Sequence, residues 1–362
     1  MNRLLAASIA LVAMTGTTGG AAEGQLSGVV FGDAYWFAAN HDGTAEDANG
    51  LWVRRVYLTY DVKQTENVSM RLRFESGSPG LNSEGGKIRP FAKDAYLKWT
   101  PSGSKHAIYL GLSGSPTFNS VESAWGYRAV EKTPVDLYRL GSTRDLGLAL
   151  RGDLTNRLDY HLMVGNGGGT SPESNKGKKY MVSVGLDLTD DLQVRANFDY
   201  NDDSASASQT TAQGFLYSVT DHYRWGLQYT FHRDSGNSDD SVNIVSGYGA
   251  YRLNADTAIL ARVDIAIDEN PRAEGISYLP LDGSSRFFFI LVGLAYSPEP
   301  DFSLIPNIEV VSYADSGIDG SRSSLLAPES PSLRCATRTP PGDKPRLTRA
   351  DGPRSAPVAR IR

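Results

Sequence analysis

The 362-residue sequence predicts an all-β fold, a transmembrane antiparallel β-barrel on a sixteen-stranded plan. Segments of about 9–11 residues alternate apolar and polar side chains, as strands with one oily face do. The connections between these segments are alternately short and long, which is typical of barrels that cross a membrane. After the N-terminus, no run approaches the roughly 20 apolar residues of a membrane-spanning helix. These three observations favour strands over helices as the elements that cross.

The segment Val68–Ser76 illustrates the alternation. One face carries Val68, Met70, Leu72 and Phe74, and the other carries Ser69, Arg71, Arg73 and Glu75. In a soluble sheet the oily face would cover a core, whereas in a membrane barrel it would meet lipid and the charged face would meet a watery lumen. One strand does not decide between these settings, but the number and connections of its copies do.

Fifteen strands are predicted from this pattern. In chain order they are about Leu26–Ala38, Trp52–Val62, Val68–Ser76, Ala92–Thr100, His106–Leu112, Asp145–Gly152, Leu158–Gly165, Tyr180–Leu188, Leu192–Tyr200, Thr210–Ser218, Tyr223–Phe231, Val242–Arg252, Thr257–Ala266, Arg286–Tyr296 and Phe302–Tyr313. Short turns are expected near 63–67, 101–105, 153–157, 189–191, 219–222, 253–256 and 297–301. Longer connections are expected near 39–51, 77–91, 113–144, 166–179, 201–209, 232–241 and 267–285. A soluble β-sandwich, the alternative, has no reason to place all its short turns at one end.

The two termini differ from this body. Residues 1–22 are predicted to be a signal peptide, with Arg3, an apolar run and small residues before a cleavage site. Export to a bacterial outer membrane follows, and the barrel domain is predicted over 23–320. The single Cys335 excludes a disulfide within one chain.

Residues 321–362 hold seven Pro, eight Arg and one Lys against three acidic residues. Such a segment cannot form a central strand, so the last strand of the barrel is expected to be missing or replaced. Two interpretations stay open: a natural disordered basic tail, or a frameshift that has replaced the closing strand. The abrupt change in composition favours the frameshift.

Several motifs resemble those of phosphate-selective porin O/P-like outer-membrane porins. They are Leu51–Leu58 followed by Met70–Glu75, Trp125–Arg128, Thr143–Leu148 and Ile305–Glu309. The resemblance covers about residues 24–320. It implies a sixteen-stranded barrel that forms a homotrimer in outer-membrane lipid and passes small hydrophilic or anionic solutes.

If the oily faces meet lipid, the opposite faces line a pore. The predicted pore-lining residues are Arg55, Arg71, Arg73, Glu75, Lys98, Asp145, Arg151 and Arg195. The positive excess on the early strands would favour anions, although cross-strand ion pairs are the alternative for most of these side chains. The connection 113–144 is expected to fold inward as a constriction that contains Glu122, Arg128, Arg139 and Arg144. The alternative is an outer loop packed against its neighbours.

Other functions are weaker hypotheses. The five histidines are far apart and lack metal-ligand spacing, and no Gly-x-Ser-x-Gly motif lies between a strand and a helix. We therefore expect no enzyme, no metal and no cofactor. The acidic body argues against nucleic acid as a partner. Two functions remain, a passive diffusion channel and a barrel that acts as a surface adhesin or receptor, and a non-functional truncated barrel is a further possibility.

Overall fold

The chain forms a closed antiparallel barrel in which strands adjacent in sequence are adjacent in the sheet. The computed structural model describes residues 23–41, 43, 45–77, 87–204, 207–236, 240–314 and 332–336. The strands are β1 Glu23–Trp36, β2 Asn49–Lys63, β3 Val68–Ser76, β4 Phe91–Trp99, β5 His106–Gly114, β6 Arg144–Asp153, β7 Leu158–Gly165, β8 Lys179–Asp187, β9 Leu192–Ser204, β10 Ala207–Val219, β11 Tyr223–Ser235, β12 Ser241–Arg252, β13 Thr257–Ala266, β14 Phe287–Glu299, β15 Phe302–Tyr313 and β16 Ser332–Ala336. The predicted all-β barrel is confirmed.

Two long connections interrupt the strands with helical structure. The first, residues 115–143, contains helices α1 Pro116–Trp125 and α2 Pro134–Leu137. The second, residues 267–286, contains the 3-10 helix Pro271–Gly275. Among the described residues, no helix has the length and apolar content needed to cross a membrane.

Two of the predicted long connections are short. Strands β9 and β10 leave only residues 205 and 206 between them, and β11 and β12 leave only 236–240. The polar stretch that begins at Asn201 was expected to be a loop, but Asn201 pairs with Gln209 in the β9–β10 ladder and with Lys179 in the β8–β9 ladder. Polar side chains are compatible with a strand that continues beyond the apolar belt, because backbone pairing does not require an oily face.

The outer surface of the barrel carries the oily face of the strands. Large apolar side chains keep between 38% and 56% of their surface exposed on most strands, among them Leu58, Tyr60, Phe74, Trp99, Leu148, Leu162, Val182, Val184, Phe198, Leu227, Tyr229, Ile259, Val263, Ile290, Val292 and Ile308. The alternating polar side chains are buried in the interior, including Thr59, Asp94, Ser183, Asn197, Gln213, Gln228, Ser246 and Asp264. This arrangement inverts that of a soluble domain and suits a barrel surrounded by lipid.

A short strand closes the barrel. β16 pairs antiparallel with β15 from Ser332 opposite Asn307 to Ala336 opposite Ser303, and with β1 from Leu333 opposite Ala34 to Ala336 opposite Phe31. These five residues lie in the stretch 321–362 that is predicted to be a disordered, possibly frameshifted tail, whereas 315–331 and 337–362 lie outside the described residues. The closing strand is replaced by a shorter one, since β15 is 12 residues long.

The interior is packed with apolar side chains on one side. Both long connections fold inward and cover the inner faces of β10 to β15. The buried cluster joins Phe118, Trp125 and Tyr138 of the first connection with Phe215, Tyr217, Tyr248, Phe287, Phe289 and Leu291 of the wall. Strand β14 is apolar on both faces, because its outer side chains meet lipid and its inner side chains meet the loops. The inner faces of β2 to β6 carry charged side chains instead, among them Arg55, Arg73, Glu75 and Asp94.

Candidate functional site

The first inward loop, residues 115–143, follows a path set by helix α1. Pro116 begins the helix, where a missing backbone N–H costs nothing. Gly126 ends it in the left-handed conformation at φ 71°, and its N–H donates to Glu122 O at 2.9 Å. The guanidinium of Arg224 on β11 donates to Ser123 O and Ala124 O at 3.4 and 3.3 Å. This contact satisfies carbonyls that the helix end leaves free and holds α1 against the barrel wall.

A buried carboxylate anchors this loop to the opposite wall. Glu131 is fully buried and accepts two hydrogen bonds from Arg54 Nη2, at 3.1 Å to Oε1 and 2.9 Å to Oε2. The backbone N–H of Lys132 and the hydroxyl of Tyr278 donate to its Oε1 at 2.6 and 2.9 Å. Because Tyr278 belongs to the second inward loop, one carboxylate joins both loops to strand β2.

A β-bulge delivers Arg54 to that position. On β1, Phe31 pairs with Arg55 and Gly32 pairs with Val53, so Arg54 has no partner there. The extra residue interrupts the alternation and directs two consecutive arginines to the interior. Arg54 also donates to Val130 O at 2.8 Å and lies 4.1 Å from the ring centroid of Tyr278.

Three groups of ion pairs on the loop and on the early strands, with four carboxylates and six cations in all, form what we call the eyelet cluster. Glu75 lies 3.1 Å from Arg55 and 3.0 Å from Lys93. Asp94 binds Arg73 at 3.2 Å and also binds Arg144. On the loop, Arg128 contacts Glu122 at 3.1 Å and Asp136 at 2.9 Å, and Lys132 lies 3.7 Å from Asp136. With six cations against four carboxylates, the cluster carries a positive excess.

The loop charges of this cluster have shifted pKa values. Burial raises the pKa of Asp136, but the neighbouring cations outweigh burial and lower it to about 2. Lys132 behaves differently, because burial lowers its pKa to about 8 despite the attraction of Asp136. The pKa of Arg128 is raised, since its carboxylate neighbours outweigh burial. Within the loop, Lys132 is therefore the charge that changes near neutral pH.

The predicted pore-lining residues of the early strands all lie on the inner wall. Arg71 forms a two-point contact with Asp61, with Nε at 2.7 Å and Nη2 at 2.9 Å from the two carboxylate oxygens. Arg73 and Glu75 belong to the eyelet cluster, so cross-strand ion pairs, the alternative considered from the sequence, occur here. The remaining two, Lys98 and Arg151, lie 5.8 and 4.4 Å from the ring centroid of Tyr109.

Two other predicted pore-lining residues are buried in local contacts. Arg195 donates to Ser183 Oγ at 2.9 Å and to both oxygens of Asp159 at 2.7 and 2.6 Å. The carboxylate of Asp145 is buried and accepts from the backbone N–H of Gly167 at 3.1 Å. These contacts tie neighbouring strands together, and contact of either residue with a solute stays a prediction.

The predicted constriction residues fall into two groups. Glu122, Arg128 and Arg144 belong to the eyelet cluster, and their role at a constriction stays a prediction. Arg139 lies apart from them: it is exposed, has φ 60°, and donates from Nη1 to Gly275 O of the second inward loop at 2.9 Å.

Sequence reasoning missed Arg54 as an anchor, Lys93 as a cluster member and the apolar half of the lumen. Two signals were available. The pair Arg54-Arg55 breaks the alternation of β2, which indicates a bulge. The unbroken apolar run Phe287–Val292 indicates a strand covered on both faces, so something must fill the lumen beside it.

Comparison with solved structures agrees with the barrel. OmpF of Salmonella typhi, in complex with daunomycin, is 12% identical with a TM-score of 0.62, over 87% of this chain and 96% of that chain. A loop L8 deletion mutant of OmpT, an outer membrane protein of Vibrio cholerae, is 11% identical with a TM-score of 0.59, over 88% and 99%. An anion-selective porin from Comamonas acidovorans is 11% identical with a TM-score of 0.58, over 87% and 98%. No family model and no curated protein matches the sequence. At these identities the likeness establishes the fold.

Proposed function

We propose that this chain is a porin of the bacterial outer membrane, a water-filled channel for passive diffusion of small hydrophilic solutes with a preference for anions. The observation that carries the proposal is the eyelet cluster. An inward loop brings Lys132 and Asp136 toward a charged wall, while the apolar half of the lumen is closed. A narrow polar path between fixed charges is what a selective diffusion channel requires.

The sign of the cluster supports the anion preference. Its cations outnumber its carboxylates, and a lumen with low-dielectric walls concentrates ions of opposite charge. Next to the cluster, Lys98 and Arg151 add two more cations, and among the described residues no carboxylate lies within ion-pair distance of either. One structural neighbour is named as an anion-selective porin, which agrees with the proposal.

Planar-bilayer recording tests the channel directly. The purified chain should give stepwise conductance, and in a KCl gradient the reversal potential should move toward that of chloride. The double variant Lys98→Gln, Arg151→Gln should lose part of that displacement, whereas the control Lys176→Gln, in an exposed outer loop, should keep it. Absence of conductance would favour a surface adhesin or receptor. A reversal potential toward that of potassium would refute the anion preference.

Location, assembly and family belong to the same proposal. The predicted signal peptide and the outward oily belt support an outer-membrane location, tested by fractionation of cells that produce the chain. A homotrimer is expected from the resemblance, and one neighbouring structure is described as a trimer form; light scattering in detergent measures the mass. Membership of the phosphate-selective O/P-like family predicts that phosphate reduces the chloride current at low concentration.

A further inference from the structure

A polar cleft separates the two inward loops. Its volume is about 400 Å³, within the range of about 300–1,000 Å³ that small-molecule sites occupy. Lys132, Asp136, Arg139 and Thr143 line it from the first loop, and Ser277 and Tyr278 line it from the second. Because Lys132 and Asp136 also belong to the eyelet cluster, a solute in the cleft lies next to the constriction.

Arg139 is presented to the cleft by an unusual backbone conformation. Its φ of 60° lies in the left-handed region, which is uncommon for residues other than glycine and costs free energy. Hydrogen bonds on both sides hold it there, from Tyr138 N to Pro134 O and from Leu140 N to Val135 O, each at 2.9 Å. The guanidinium reaches Gly275 O with Nη1 and bridges the cleft.

The charges of the cleft favour an anion with a single charge. Asp136 is the carboxylate among the charged lining residues, and it lies 3.7 Å from Lys132. Among the described residues, no carboxylate lies within 4.0 Å of Arg139. The cleft therefore holds two cations, Lys132 and Arg139, against one carboxylate, and a monoanion balances the excess.

The other lining groups favour hydroxyl groups over aromatic rings. Thr143 and Ser277, which carry hydroxyls, line the cleft together with Gly141 and Gly275, and Leu137 and Ile276 contribute an apolar part. Tyr278 is not available for stacking, because Arg54 lies 4.1 Å and Lys132 lies 5.2 Å from its ring centroid. Hydroxylated carbon chains satisfy such polar walls, whereas an apolar ring would leave them without hydrogen-bond partners.

We propose that the cleft between the two inward loops binds hydroxylated monocarboxylates, the sugar acids, with the carboxylate on Arg139 and the hydroxyls toward Thr143 and Ser277. This proposal rests on the proposed function, because the cleft is reached through the pore. It adds a binding site beside the eyelet that general anion attraction does not require.

Blocking of single-channel current by D-gluconate tests the site, with hexanoate as a comparison of equal charge and similar chain length. In 0.1 M KCl, gluconate should interrupt the chloride current at a lower concentration than hexanoate does. Arg139→Gln should weaken the block about tenfold, as expected when a charged hydrogen bond is lost. Thr143→Val combined with Ser277→Ala should reduce the advantage of gluconate over hexanoate. The control Arg252→Gln, at the far end of β12, should leave the block unchanged.

A second variant separates loss of binding from loss of folding. Arg139→Gly removes the guanidinium and suits the left-handed backbone, so it should assemble and conduct while losing the block. Equal block by gluconate and hexanoate, or an unchanged block in Arg139→Gly, would overturn the proposal. A chain that does not conduct would refute the porin function instead, which keeps the two failures distinct.

Discussion

Replacement of Glu131 by Gln tests whether one buried ion pair fixes the width of the pore. The side chains of Arg54 and Glu131 retain 4% and 0% of their surface exposed. In Glu131→Gln, one oxygen still accepts from Tyr278, but an NH₂ group faces the guanidinium of Arg54. Removing one partner of a buried pair costs about 3–5 kcal/mol. Because Asp33 still lies 3.6 Å from Arg54, we expect the lower part of that range.

Two measurements give the expected result. Urea unfolding in detergent micelles should show a loss of about 3–5 kcal/mol in unfolding free energy. Single-channel records should become noisy, because the first inward loop is no longer tied to β2. The matched control is Glu173→Gln, which removes an exposed ion pair with Lys178 and should leave the unfolding free energy close to that of the original chain.

A double-mutant cycle isolates the pair itself. Arg54→Met combined with Glu131→Gln removes both charges, so the double variant should be less destabilised than the two single losses added together. Coupling above about 1 kcal/mol is expected, in the range for residues in direct contact. The anchoring role would be refuted if the losses in unfolding free energy of the two single variants simply added. It would also be refuted if Glu131→Gln gave quiet currents and a stability within about 0.5 kcal/mol of the original chain.

Three further predictions concern charge, lipid and closure. Burial lowers the pKa of Lys132 to about 8, so its ammonium is charged below pH 8 and loses its proton as the pH rises through that value. Anion preference, measured as the reversal potential, should therefore fall between pH 7 and 9. The variant Lys132→Met should abolish this pH dependence. Val292 is 55% exposed on the outer face. If it lies near the bilayer midplane, Val292→Arg should lower the free energy of unfolding in lipid by about 2–4 kcal/mol. An unchanged free energy of unfolding would contradict the assignment of Val292 to the lipid-facing surface. Removal of residues 332–362 should prevent assembly of a heat-resistant barrel, because this deletion takes away β16. Removal of residues 337–362 should be tolerated, because β16 remains. If both deletion variants assemble equally well, β16 does not close the barrel.

The sequence predicts the faces of the strands well because lipid and lumen impose opposite demands on alternate residues. Leu72 and Arg73 illustrate this. Because successive side chains of a strand point to opposite faces, a barrel that turns Leu72 toward lipid turns Arg73 toward the lumen. Their partners were harder to predict. Arg71 meets Asp61 because the two are register partners in the β2–β3 ladder, and register depends on turns and bulges that alternation does not reveal.

The loops were the least predictable part. Arg54 and Glu131 are 77 residues apart in sequence, and nothing local marks them as partners. The inward direction of the first loop was predicted only as one of two alternatives. The loop folds inward because Phe215, Tyr248 and Phe289 on β10 to β15 point into the lumen, where apolar side chains of the loop bury them.

This division of the lumen explains why the charges concentrate on the early strands. On β10 to β15, apolar inner side chains such as Phe215, Tyr248 and Phe289 pack against the loops. The same side also holds a buried ion pair, Arg262–Asp264, whose carboxylate accepts a hydrogen bond from Tyr138 of the first loop. The loops in turn present their polar edges, Lys132 and Asp136, to the side that remains open. Under the proposed porin function, a solute passes along β2 to β6, where Arg73 and Glu75 lie. Under the proposed porin function, loop packing and selectivity have a common origin in the sequence: large apolar inner side chains on β10 to β15, and ion-paired inner side chains on β2 to β6.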